Sequence, residues 1–263
     1  MPSLAEVTSI LLARSAPVLL VDTCSLVDVI RAPKRAAQLR GCVQAAVELQ
    51  RMAASAPPEC SLVVGSFVIG EWIQHAEATR IELDQHRKLL DEAASDYREA
   101  CDHLGIAPNA PPFLGAPGLP AALHGLSSDL LGNAIRLEAR DETNLRAFAR
   151  AARNQPPSRK GGEIKDSTIL EECLDLCRSL RGSGFARPLV YCTSNTRDYC
   201  EAGELHEQLR SEFDPLGLAF VTSLPWAIRE LRIEGVRPRP GDGGGDPEPR
   251  LGWAPGRPRR PAG

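Results

Sequence analysis

The sequence predicts an α/β fold, three layers deep, with a central, mostly parallel sheet of about four to five strands between helices. Two observations carry that expectation. Short apolar runs that end in polar residues, PVLLVDT (17–23) and PLVYCTSN (188–195) among them, have the length and flanks of strands buried on both faces. Longer stretches with apolar residues at helical spacing separate these runs. Alternating strands and helices imply parallel strands joined by helical crossovers, with ligands at the carboxyl ends of the strands.

The elements follow in order. Residues 3–13 read as a short helix and 17–23 as the first strand. Residues 36–54 are Ala-rich with helical spacing, and CSLVVGSFVIGEW (60–72) holds a second strand, a turn and a helix start. Residues 71–103 read as a helix with one heavily charged face, and GIAPNAPPFLGAPGLP (105–120) as a Pro/Gly loop. A long helical pattern spans 127–153, NQPPSRKGGEIKD (154–166) breaks it, and a helix follows from about Ser167 to Leu180. Strands are expected at 188–195 and 217–223, with a short amphipathic piece at 201–213 between them. These elements make one domain over 1–235, with a helical insertion at about 76–160. From Val236 the chain holds seven Pro and seven Gly in 28 residues, the composition of a disordered tail over 236–263.

Composition narrows the function classes. A net charge of −3 and a pI of about 6.0 confine any nucleic-acid surface to local basic clusters. Aromatic residues make up 5% of the chain, too few for base stacking to dominate recognition. The eight cysteines are scattered and form no CxxC pair, which speaks against a zinc ribbon and for buried thiols in a reducing cytoplasm. Cys173 and Cys177 lie one helical turn apart without a second pair. Arg14 and Pro17 interrupt the only apolar run near the start, so neither a signal peptide nor a membrane span is expected.

Acids recur where regular elements end. Asp22 leaves the first strand, Glu71 opens the helix EWIQHAEATR, Asp166 precedes the helix in GGEIKDSTILEECLDL, and Asn195 and Asp198 follow the strand LVYC. Each has an ordinary role alone: a strand-end cap, a first-turn Glu favoured by the helix dipole, an N-cap Asp. Together they suggest carboxylates that repel one another unless a cation neutralises them. Oxygen ligands select a hard ion, Mg²⁺ or Mn²⁺, which can activate water and shield a phosphodiester. His75, four residues after Glu71, reads as a surface residue, and Glu163 as a solvated loop acid.

The segments VLLVDTCSL, FVIGEWIQHA, GGEIKDSTIL and VYCTSNTRDY resemble, in order, the four motifs of PIN-domain ribonucleases, over roughly residues 17–225. The long stretch between Glu71 and Asp166 is similar to the larger PIN-like proteins rather than the minimal toxins. The resemblance implies a PIN-like fold and a Mg²⁺- or Mn²⁺-dependent endoribonuclease. Asp22, Glu71 and Asp166 would be the metal-binding acids, completed by Asn195 or Asp198. It departs from the family at Cys24, where an Asn is usual, and at Asn195, where an acid is usual. Expected partners are RNA and a protein antitoxin or other regulator, in a bacterial toxin–antitoxin setting; an oligomer is allowed.

Basic residues flank these acids. Arg31, Lys34 and Arg35 sit in IRAPKRAAQLR, and Arg159, Lys160 and Lys165 surround the glycine pair before Asp166. The run 136–165 adds Arg136, Arg140, Arg146, Arg150 and Arg153. They suit phosphate contacts or a solvated helix face. A haloacid-dehalogenase-type phosphatase fits less well, because its second acid would stand at Cys24. A PIN-like module that binds RNA or protein through a weakened metal site is the non-enzymatic alternative.

Overall fold

A computed structural model describes residues 2–35, 38–107, 116–158 and 164–233. The expected tail at 236–263 and the candidates Arg159, Lys160 and Glu163 lie outside the described residues. Helix α1 (Leu4–Arg14) starts at a capping box made by Ser3 and Glu6. Strand β1 (Val18–Val21) is buried along its whole length and leads directly into α2 (Thr23–Arg31) and then α3 (Cys42–Ala54). Next come β2 (Ser61–Val64), the long α4 (Val68–Leu104), α5 (Leu119–Asn133), β3 (Ile135–Arg136) and α6 (Asp141–Ala152). The chain continues through α7 (Ile164–Gly182), β4 (Leu189–Cys192) and α8 (Thr196–Tyr199). A small hairpin, β5 (Cys200–Glu201) and β6 (Glu204–Leu205), precedes α9 (Glu207–Phe213), a 3₁₀ turn at Asp214–Leu216, β7 (Leu218–Val221) and α10 (Leu224–Leu231).

Five strands form one parallel sheet in the order β3-β2-β1-β4-β7. Val18 pairs with Ser61 on one side and Leu189 on the other, and Val63 pairs with Ile135. The central strands are buried at every position because a parallel sheet covered on both faces leaves no solvent side. Helices α2, α3, α4, α5 and α10 pack among themselves, and α1 and α6 pack on α7. Right-handed crossovers put these two groups on opposite faces of the sheet. The order reverses at β1: the chain first adds β2 and β3 on one side, then returns to add β4 and β7 on the other. Such a switch point leaves a crevice at the carboxyl ends of the two strands that flank it.

Three sequence expectations change. The helical pattern at 127–153 is broken by β3, because Ile135 and Arg136 extend the sheet beyond Val63 and Val64. The stretch 76–160 therefore contributes an edge strand as well as helices. Helix α5 begins at Leu119, inside the expected loop, with Pro120 set in its first turn where a missing N–H costs nothing. The nine residues after Asp22 form a helix, α2, where the sequence pattern predicted none.

The arginines of the 136–153 run have a structural use. Arg150, 5% exposed, reaches Glu171 on α7 at 2.6 and 2.9 Å, Glu212 on α9 at 2.6 and 3.0 Å and the Pro156 carbonyl at 2.9 Å. Arg146 pairs with Glu171 at 3.1 Å and with Asp175, and Arg140 and Thr143 donate to Asp175 at 2.5 and 2.9 Å. Arg140, Arg146 and Arg150 thus bind protein carboxylates; the Arg150 side chain is buried, while those of Arg140 and Arg146 are 40% exposed. Next on α7, Glu172 accepts from the Ser66 amide at 2.8 Å and the Ser66 hydroxyl at 2.6 Å, which fixes the turn after β2. A Cβ at Gly65 would lie 2.7 Å from the Glu172 carboxylate and 3.3 Å from the Ile169 side chain, so any larger residue there displaces the carboxylate that holds Ser66.

Truncating Arg150 leaves Glu171 buried with a lost partner. Arg150→Ala is expected to cost about 3–5 kcal/mol of unfolding free energy by urea denaturation. A loss within about 0.5 kcal/mol would show that the α6–α7 clamp carries no stability.

Candidate functional site

Asp22 sits at the switch point, one residue past the end of β1. Its amide donates to the Cys192 carbonyl at 3.0 Å, so the backbone ladder between β1 and β4 runs up to the carboxylate. Its side chain caps α2: Oδ1 accepts from the Thr23 amide at 2.7 Å. Oδ2 accepts from the Thr193 hydroxyl at 2.6 Å, across the crevice at the exit of β4. The residue is 4% exposed. Burial raises its pKa from 3.8 to about 6; the hydrogen bonds from Thr193 and Thr23 work against that rise, and the charge of Glu71 adds to it.

Glu71 lies in the first turn of α4, where a negative side chain suits the helix dipole. Its Oε2 accepts from the Thr23 hydroxyl at 2.8 Å, so Thr23 joins the two acids, donating its amide to Asp22 and its hydroxyl to Glu71. The approach of α4 to α2 is set one residue later. Trp72 Nε1 donates to the Ser127 hydroxyl at 2.8 Å, and that hydroxyl donates to the Leu26 carbonyl at 2.7 Å. This buried relay through α5 fixes the helix that carries Glu71 against the helix that Asp22 caps.

Asp166 is the third residue of α7, not its N-cap, because the helix begins at Ile164. Its charge acts on the Cys24 thiol and the Tyr199 hydroxyl, and both of these also feel Asp22. Asp166 therefore belongs to the same end of the sheet as Asp22. Asn195 is the N-cap of α8 by position, with no cap bond from its side chain, and its amide donates to Thr193 Oγ1 at 3.1 Å. Asp198 lies within α8, half-buried. Among the described residues no three His, Cys, Asp or Glu side chains are grouped to hold a metal ion. The structure joins Asp22 and Glu71 through Thr23 and relates Asp166 to them through charge.

The neighbours set the character of the site. Burial and the charges of Asp22, Asp28 and Asp166 push the Cys24 pKa far upward, which favours the neutral thiol. All eight cysteines are free. Lys34 pairs with Glu82 of α4 at 3.0 Å, Arg31 lies 3.8 Å from Asp28, and Lys165 is half-buried beside Asp166. His75 is exposed on α4. Sequence reasoning missed Thr23, Thr193 and Ser127. The hydroxyls after each strand were the available signal for the first two, while Ser127 had none. No family model, curated protein or solved structure matches this chain. No helix among the described residues is long and apolar enough to cross a membrane.

The raised pKa of Asp22 makes stability depend on pH. Between pH 3.8 and about 6 the folded chain holds a proton that the unfolded chain releases, so stability falls as pH rises through that window. Above it the buried charge costs up to about 3 kcal/mol. Asp22→Asn keeps the cap and lets Thr193 accept instead of donate. In metal-free buffer its thermal midpoint should exceed that of the wild type near neutral pH, with the gap closing as the buffer is acidified below the Asp22 pKa of about 6. Parallel midpoints across that range would contradict the buried-charge assignment.

Proposed function

We propose that this chain is a PIN-like, Mg²⁺- or Mn²⁺-dependent endoribonuclease that hydrolyses RNA phosphodiester bonds at the carboxyl end of its sheet. The observation that carries this reading is the buried Asp22 at the switch point, joined through Thr23 to Glu71 from a separate helix. The charge of Glu71 raises the proton affinity of Asp22, so the two carboxylates form an oxygen-only donor pair suited to a hard cation. Asp22 and Glu71 would hold that cation with Asp166, and Asn195 or Asp198 would complete the set. When bound, such an ion supplies charge neutralisation at the phosphodiester and a more acidic water. The chain's own part is positioning: Thr193 and Thr23 fix both oxygens of Asp22, and the Trp72–Ser127–Leu26 relay fixes Glu71. Arg31 and Arg35, at and just beyond the end of α2, suit phosphate attraction without reading sequence. A bacterial toxin with a protein antitoxin is one setting for such an enzyme.

A second reading has its own support. Both oxygens of Asp22 already accept from protein donors, and among the described residues no third ligand joins the pair. That arrangement suits an RNA- or protein-binding module with a weakened metal site.

Asp166→Asn separates the two. It keeps shape and one oxygen but removes a charge from the proposed set. In an RNA cleavage assay with Mg²⁺ or Mn²⁺ it should lose more than about a hundredfold in rate. Its thermal midpoint should stay within a few degrees of the wild type, because Asn keeps the side-chain shape and still accepts a hydrogen bond. Wild-type activity in the variant would remove Asp166 from the catalytic set. Absence of metal-dependent cleavage in the wild type itself would favour the binding module.

A further inference from the structure

A cavity of about 240 Å³ lies beside the acid pair, on the other side of the β4 exit. Its lining includes Asp28 of α2, Arg40 before α3, Ser194 after β4, and Thr222, Ser223 and Trp226 at the β7–α10 junction. Asp28 is 5% exposed and lines the cavity together with Ser194, while Trp226 is 57% exposed. The cavity and the acid pair share one backbone turn: Thr193 donates to Asp22, and the adjacent Ser194 lines the cavity with Asp28. Ser25, in the first turn of the helix that Asp22 caps, also lines the cavity.

We propose that this cavity is a guanine subsite, in which the Asp28 carboxylate reads the base edge and Trp226 stacks on its face. The proposal rests on the nuclease reading for its biological use but not for its chemistry. A buried carboxylate offers two acceptors side by side and no donor. Guanine is the base with two adjacent donors, N1–H and N2–H, on its Watson–Crick edge, a match for both carboxylate oxygens. Uracil presents one donor between two acceptors, and adenine and cytosine each set an acceptor next to their amino group, so each turns a lone pair toward the carboxylate. The hydroxyls of Thr222 and Ser223 are donors suited to O6 and N7, the acceptors guanine carries on its other edge. An exposed indole at the opening provides the stacking surface that single-stranded nucleotides use. Arg40 supplies positive charge for the attached phosphate.

The test is calorimetric titration of the full chain, without metal, with guanosine, adenosine, cytidine and uridine 5′-monophosphates. The guanosine nucleotide should bind about tenfold or more tighter than the other three. Asp28→Asn should abolish that preference, because Asn places a donor where an acceptor is required. Trp226→Ala, on the surface and harmless to the fold, should weaken guanosine monophosphate binding about tenfold. Equal binding of the four nucleotides, no binding of any, or a guanine preference that survives Asp28→Asn would overturn the proposal. Should Asp28→Asn fail to fold, the wild-type ranking and the Trp226→Ala loss decide the matter. Guanine-selective binding by a chain that cuts no RNA keeps the subsite and sinks the nuclease reading; RNA cleavage without guanine-selective binding does the reverse.

Discussion

The hydrogen bond from Thr193 to Asp22 is the interaction on which the rest of the site depends. It spans the point where the sheet reverses its order, joining the exits of β1 and β4 above the last ladder bond between them. Without it, a carboxylate 4% exposed would face the crevice with one oxygen unsatisfied, at a cost of about 1–3 kcal/mol or more for a charged group. With it, Asp22 is held rigidly, and α2 starts where that carboxylate caps it. Thr23 then extends the same network to Glu71.

The surroundings divide the labour between stability and chemistry. On α7, Glu171 and Asp175 are neutralised by Arg140, Arg146 and Arg150, with Glu171 sharing Arg150 with Glu212, while Glu172 is satisfied by the Ser66 amide and hydroxyl. At the carboxyl ends of the strands Asp22 and Glu71 meet hydroxyls and an amide instead, which satisfy geometry but do not cancel negative charge.

Much of this was legible in the sequence, for physical reasons. Strands β1, β4 and β7 announce themselves because burial between helices forces an unbroken apolar run. Asp22 stands out because a carboxylate directly after such a run sits where desolvation costs most. Strand β3 was hidden: two residues paired with Val63 and Val64 carry no periodicity of their own, and they lie inside a pattern that otherwise reads as helix. The arginines of 140–150 were ambiguous because their partners on α7 and α9 are 21 to 62 residues away in the chain. Thr23 and Thr193 were passed over because a hydroxyl's role depends on what it faces. Asp28 and Ser194 escaped for the same reason, as they line one cavity only once the chain is folded.

A crystal structure of the full chain grown with Mn²⁺ is the most direct test of a shared acid site. One ion is expected in the crevice between β1 and β4, with oxygens of Asp22, Glu71 and Asp166 about 2.0–2.6 Å from it. An empty crevice at millimolar Mn²⁺, with Asp22 still bonded to Thr193 and Thr23 alone, would contradict a metal centre there.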